Sequence, residues 1–193
     1  MRVSREQAAD NRRRILTAAA RLFRERGIDG TGVDAITEAA GLTHGAFYSQ
    51  FDSKEAVVAE ALRLVLDESR DLWARDANGQ DQSDALERII DRYLSRGHRD
   101  SPGAGCAVAA LGSDMARQPG KIRDVFTERL GESLEILAKL VPAKTASRRY
   151  DAAIRLFSTM VGALILARAV RDEALSRRIL KAAANGLTDS ASG

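Results

Sequence analysis

Leu42-Thr43-His44-Gly45-Ala46-Phe47-Tyr48-Ser49-Gln50-Phe51-Asp52-Ser53-Lys54-Glu55 is the stretch that decides how this chain of 193 residues folds. Phe47 and Phe51 stand four apart and share one helical face, so they anchor a short helix on whatever lies beneath it. Thr43, His44 and Tyr48 project elsewhere. Thr43 sits where an N-cap belongs, its hydroxyl able to accept from a backbone N–H in the next turn. Asp52 and Glu55 have the spacing of a capping box, which predicts that a further helix starts there. The stretch reads as a docked helix with one side free to touch something.

Upstream, Ile15, Ala19, Leu22 and Phe23 recur at helical spacing and predict one helix over Arg5–Arg26, ended by Gly27 and the Asp29-Gly30 pair. Val33, Ile36 and Ala40 repeat the spacing over two turns, closed by Gly41. Helix, two-turn helix, Gly-containing turn and helix is the order of a helix-turn-helix unit, whose last helix enters the DNA major groove. Downstream, Val58, Leu62, Val65, Leu66, Ser69, Leu72 and Trp73 mark one face of a helix over 52–78. The polar segment 76–83 is the best linker, yet the helix before it belongs to both halves. The chain divides into a head, 1–55, and a body, 56–193, with 52–78 as shared connector.

Beyond the linker the pattern is helical throughout. Leu86, Ile89, Ile90, Tyr93 and Leu94 form a face of a fifth helix, and Gly97–Gly105, with Ser101-Pro102-Gly103, reads as a loop. Cys106 opens a small-residue helix that stops before Pro119. Ile122 to Leu140 carry a long helix ended by Pro142. Ser147 to Val170 run as a helix apolar nearly all round past Phe157, and Leu175 to Leu187 form the last. An all-α fold of about nine helices is expected, with no convincing strand and no internal repeat.

The net charge of +3 is mild, but its distribution is uneven. Residues 1–26 hold eight arginines (2, 5, 12, 13, 14, 21, 24 and 26) against Glu6, Asp10 and Glu25, a balance of +5. Residues 27–55 hold Asp29, Asp34, Glu38, Asp52 and Glu55 against Lys54, a balance of −4. The positive patch is the N-terminal arm and first helix. The single cysteine excludes an internal disulfide framework and fits a reducing compartment. No apolar leader is visible, and Leu156 to Ala167 is too short to span a bilayer. A soluble, cytoplasmic chain with no membrane partner is expected.

Catalysis finds no constellation. His44 and His98 lie in different elements, no cluster has metal-ligand spacing, and neither a phosphate loop nor a nucleophile elbow is present. Glu87 and Asp91 alternate with Arg88 and Arg92, as in a solvated, ion-paired face. No enzyme, no metal and no cofactor is expected. A cysteine-dependent enzyme using Cys106 and a helical interaction module without specific DNA binding are the competing readings.

The first 55 residues resemble the tetracycline-repressor family of transcriptional regulators. The likeness rests on Leu22-Phe23-Arg24-Glu25-Arg26-Gly27, Thr31-Gly32-Val33-Asp34-Ala35-Ile36, Gly41 to Phe51, and Ser53-Lys54-Glu55. It is specific over about residues 10–62, and beyond them only the architecture matches. Gly32 departs from the family's commoner Ser or Thr. By this resemblance Thr43, His44, Gly45 and Tyr48 are recognition-helix contacts, with Gly45 admitting close approach to the bases. Lys54 and Thr31 would meet phosphates, and Arg12, Arg13 and Arg14 would supply attraction. The resemblance implies a homodimer on double-stranded, palindromic operator DNA, acting as a repressor released by a small apolar or electrophilic effector.

For the body, Trp73, Tyr93, Cys106, Met115, Phe126, Phe157 and Met160 are candidate pocket residues, though aromatics and Met at helical spacing also build ordinary core. An all-round apolar helix needs cover on both sides. Pairing of the last two helices with a second copy, through Val161, Leu164, Ile165, Arg168, Leu175, Ile179 and Ala183, would provide it. Gly105-Cys106 resembles a subgroup of the family in which some members respond to electrophiles. At a helix N-terminus the dipole favours a thiolate. Cys106 is thus open to two readings, a reactive thiol or a small buried hydrophobe.

Overall fold

The computed structural model describes residues 4–78 and 82–191. Arg2 of the basic arm and the middle of the predicted linker fall outside these residues. Among the described residues all regular structure is helical, in ten α-helices and one 3-10 turn. The helical class is as expected, and the added helix lies in the segment read as a loop.

Helix α1 (Arg5–Arg26) is capped by Ser4, whose hydroxyl accepts from the Gln7 N–H at 3.1 Å. It ends at Gly27, whose φ of 76° is open to glycine and strained for other residues. Helix α2 (Val33–Ala40) closes at Gly41 in the left-handed conformation, φ 62°. There the Gly41 and Leu42 N–H groups donate to the Glu38 and Thr37 carbonyls, both at 2.9 Å. Helix α3 (His44–Tyr48) then lays Phe47, with Phe51 just beyond it, into the core formed with α1 and α2.

Helix α4 (Lys54–Ala77) starts one residue later than the capping-box spacing predicts. Ser53, not Asp52, is the N-cap, and its hydroxyl accepts from the Ala56 N–H at 3.2 Å. Burial of Phe51 leaves Asp52 exposed in the turn, so the chain enters helical geometry only after Ser53.

The body comprises α5 (Gln82–Tyr93), α6 (Arg96–Asp100), α7 (Ala107–Met115), α8 (Gly120–Leu140), α9 (Ala146–Ala169) and α10 (Glu173–Ala191). The predicted loop 97–105 contains most of α6 and the 3-10 turn Pro102–Ala104. Ser95 makes α6 possible by accepting from the His98 N–H at 3.1 Å. Arg99 holds it in place. Its buried guanidinium donates to Ser176 Oγ at 2.7 Å and pairs with Glu173 at 2.9 Å, both on α10.

Two cores share α4. The first gathers α1, α2 and α3 with Val57 to Leu66 of α4, and is completed by Leu111 and Met115 of α7 and Ile122 and Val125 of α8. The second joins Trp73 to α5, α8, α9 and α10. Arg70 on α4 pairs with Glu132 on α8 at 2.7 Å, bracing the longest helix-helix seam. By length and composition α9 is also the one described helix able to cross a membrane. Its Ala153, Leu156, Phe157, Met160, Ala163, Leu164 and Ala167 are instead buried against the protein's own helices.

Candidate nucleic-acid interface and effector cavity

The two Phe anchors work as their spacing implies. Phe47 is fully buried and Phe51 nearly so, which turns Thr43, His44, Gly45 and Tyr48 outward. Thr43 caps α3, accepting from the Ala46 N–H at 3.3 Å, and remains exposed. The Tyr48 ring packs edge-on against Phe47 at 5.2 Å, yet the residue is 56% exposed. Gly45 is open, since a Cβ there would meet nothing nearer than Thr43 Oγ1 at 4.0 Å. His44 Nε2 contacts the carboxylate of Asp34 on α2, an acceptor that sequence reading did not assign to it.

Two expected phosphate contacts, Thr31 and Lys54, and one of the attracting arginines, Arg12, have partners within the protein. Thr31 is wholly buried, and its hydroxyl donates to the Gly27 carbonyl at 2.8 Å. It pins the α1–α2 turn from inside and cannot meet a phosphate. Lys54 donates to the Ile28 carbonyl at 2.7 Å, tying the start of α4 to the same turn. Arg12 pairs with Glu60, donates to the Gln50 carbonyl and lies over the Phe51 ring at 4.1 Å to the centroid. It buttresses the α3–α4 elbow. Arg13 and Arg14 stay exposed, the former paired with Asp10 at 2.6 Å and the latter reaching the Gly41 carbonyl at 3.3 Å.

In the body a cavity of about 300 Å³ is bounded by α4 to α9. Trp73, Tyr93, Cys106 and Phe157 line it. Met115, Phe126 and Met160 do not. Met115 and Phe126 belong to the head core, which reaches further down α7 and α8 than a boundary at residue 55 implies. Met160 is fully buried in the body core. Leu66, Ser69, Leu72, His98, Val108 and Ser133 join the wall. Ser69 within the apolar stripe of α4 was the one sequence signal pointing to them.

His98 is central to the cavity's edge. Its Nδ1 stands 2.6 Å from the Tyr93 carbonyl and its Nε2 2.9 Å from the Cys106 N–H. A carbonyl can only accept and an N–H can only donate, so His98 is neutral, with its proton on Nδ1. Burial lowers its pKa, and Arg168 and Arg92 lower it further. Gly105 leaves room for this arrangement, because a Cβ there would fall 2.7 Å from Arg168 Nη2 and 2.9 Å from the His98 ring. Cys106 is the N-cap of α7 and is buried, and that burial pushes its thiol up. Desolvation outweighs the Tyr93 hydroxyl and the Ala109 and Val108 amides that favour the thiolate. Burial therefore opposes the preference for the thiolate that the helix dipole supplies.

Two residues chosen for a pairing surface face inward. Leu164 is fully buried in the body core, and Arg168 donates to the Arg99 and His98 carbonyls at 3.0 and 2.7 Å. Ile165 and Leu175 are exposed, while Val161, Ile179 and Ala183 are half-buried. Among the described residues no group of three or more His, Cys, Asp or Glu could hold a metal ion.

Residues 15–61 match the model of the family described as bacterial regulatory proteins, tetR family. Over these residues the chain is similar to the tetR family. The HTH-type transcriptional repressor KstR2 of Rhodococcus jostii is 42% identical over 83 residues, covering 41% of this chain and 39% of that protein. The HTH-type transcriptional regulator TtgR of Pseudomonas putida is 38% identical over 86 residues, covering 45% and 40%. In these alignments the chain spans about two fifths of the length of the curated relatives it matches. The similarity to solved structures is longer. The reduced form of E. coli NemR superposes with a TM-score of 0.79 at 18% identity, covering 93% of this chain and 96% of that one. A TetR transcriptional regulator from Chloroflexus aurantiacus superposes with a TM-score of 0.79 at 24% identity, covering 95% of both chains. At such identities the likeness of the body to these structures is one of fold.

Proposed function

We propose that this chain is a sequence-specific DNA-binding transcriptional repressor whose head, 1–55, reads a palindromic operator and whose body, 56–193, releases it on binding a small molecule. The observation that carries the reading is the outward face of α3, where Thr43, Gly45 and Tyr48 are exposed above the buried Phe47. Gly45 leaves backbone accessible to base edges, and the exposed Tyr48 would offer its hydroxyl to a phosphate. His44 is held by Asp34 and would exchange that carboxylate for an acceptor on DNA. Arg13 and Arg14 supply the electrostatic attraction.

Operator binding by two heads calls for two copies. Tyr150, Ile154, Val161 and Ile165 form a stripe along α9, with Tyr150, Ile154 and Ile165 all exposed. With Leu175 of α10 they form the surface proposed to pair in a homodimer. The two α3 helices would then meet successive major grooves about 34 Å apart.

Effector control is proposed to run through residues 95–117, which border the cavity at Ser95, Gly97, His98 and Cys106. The same segment touches the head at both ends, besides lending Leu111 and Met115 to its core. Gly103 lies so close to the Arg21–Glu25 pair on α1 that a Cβ would fall 2.3 Å from Glu25 Oε1. At the other end Asp114 Oδ2 accepts from the Ile28 N–H at 3.3 Å. An effector that favours one setting of this segment over another lowers operator affinity by the matching factor.

Selection from a random duplex library, followed by gel shift, tests the reading. Enrichment of an inverted repeat, bound by a dimer and weakened steeply by salt, is the expected result. Recovery of no common sequence at low salt would overturn it in favour of an interaction module.

A further inference from the structure

The cavity holds about 300 Å³, roughly ten water volumes and within the range of small-molecule sites. Leu66, Leu72, Trp73, Val108 and Phe157 are the large apolar side chains of its wall. Trp73 and Tyr93 both stand edge-on to Phe157, at 5.3 and 6.1 Å between ring centroids. The wall thus carries aromatic rings at right angles, a surface that suits a flat ring.

Apart from the Tyr93 hydroxyl, the polar side chains of this wall are engaged within the protein. The Ser69 and Ser133 hydroxyls donate to the Val65 and Arg129 carbonyls of their own helices, at 3.0 and 2.9 Å. Ser95 Oγ accepts from the His98 N–H, and both ring nitrogens of His98 are occupied. The Arg92 guanidinium is paired with Asp76. The Tyr93 hydroxyl is buried without a hydrogen-bond partner, beside Cys106 and out of water's reach. Arg24 and Arg168 are cations near Cys106, but neither borders the cavity, and Arg168 is held by two carbonyls. An ionised ligand would lose its water here and meet no free counter-charge.

We infer that the cavity takes an uncharged, mainly hydrocarbon molecule with an aromatic or fused-ring body of roughly ten to fifteen non-hydrogen atoms, and excludes the carboxylate of the same shape. The inference rests on the reading of this cavity as the effector site. Selectivity comes from desolvation: a neutral ring exchanges water for the apolar wall, whereas a carboxylate loses hydration that no free cation of the wall replaces and that one hydroxyl, on Tyr93, replaces only in part.

Calorimetry on the full chain at pH 7 with 2-ethylnaphthalene, 2-acetylnaphthalene and 2-naphthoate tests it. The two neutral compounds should bind within about fivefold of each other, and the anion at least about thirtyfold more weakly. Ser133→Leu, which fills the cavity from α8, should abolish binding of both neutral compounds with the helical circular dichroism intact. Val108→Phe fills it from α7 and should do the same. Equal or tighter binding of the naphthoate would overturn the inference in favour of an acidic ligand drawn by Arg24 and Arg168. Failure of both neutral compounds to bind, or their binding unchanged in both filled variants, would also overturn it.

Gel shifts on the same samples separate this from the regulatory reading. Release of the operator by the neutral pair supports both. Binding without release keeps the ligand class and removes the effector role. Loss of ligand binding with operator binding intact removes only the ligand class.

Discussion

Gly45 has room for a side chain, and Thr31 has no room for a ligand. At the scale of single residues, that contrast separates a reading surface from its support. A methyl group at Gly45 would touch nothing in the protein, so Gly45→Ala should leave stability unchanged or raise it by up to about 1 kcal/mol. The same change should weaken operator binding about tenfold, ~1.4 kcal/mol, if backbone approaches a base there. Thr31→Val should do the reverse. It removes a buried hydroxyl bonded to the Gly27 carbonyl, costing about 1–2 kcal/mol of stability, while the folded fraction keeps its operator affinity. Urea denaturation and gel shift on both variants check the pair. Both positions are visible in the sequence, but hydroxyl direction is not. Thr31 has the same composition of neighbours whether it faces phosphate or core, and only the turn of the chain at Gly27 to Gly30 decides.

At the scale of elements, His98 staples the end of α5 to the start of α7, accepting at Nε2 from the Cys106 N–H while its other nitrogen meets Tyr93. This staple requires the neutral ring. Burial lowers the folded pKa of His98 below its value in the unfolded chain, near 6.5. As pH falls through that value the unfolded chain takes up a proton that the folded chain refuses, so stability present above about pH 6.5 is progressively lost toward the folded pKa. His98→Gln keeps a donor and an acceptor but does not titrate. Between pH 7 and 5 its unfolding free energy should fall less steeply with acid than that of the parent, as read by urea denaturation at several pH values. Helix α6 shows why local sequence was insufficient. Gly97 and Ser101-Pro102-Gly103 are turn formers, yet Ser95 caps a helix turn that Arg99 fastens to α10. The partners, Glu173 and Ser176, lie more than seventy positions away along the chain.

Over the whole molecule, α4 belongs to both cores, so head and body cannot be displaced independently. The face of α9 marked by Tyr150, Ile154 and Ile165 remains uncovered in the single chain. Ile154→Glu with Ile165→Glu should give a folded monomer by light scattering and lower operator affinity by at least about tenfold, because two tethered heads bind far better than one. A dimer that survives both charges would place the pairing surface elsewhere. The sequence by itself determined the helical fold, the order of α1 to α4 and the outward set Thr43, His44, Gly45 and Tyr48, since these follow from spacing and capping within about one helix length. Tertiary structure decided the rest. Arg12, Thr31 and Lys54 turn to internal carbonyls or carboxylates, Arg168 and Leu164 face inward, and burial suppresses the Cys106 thiolate. Each outcome depends on which distant group the fold brings within hydrogen-bond reach or removes from water, and helical period carries no record of that.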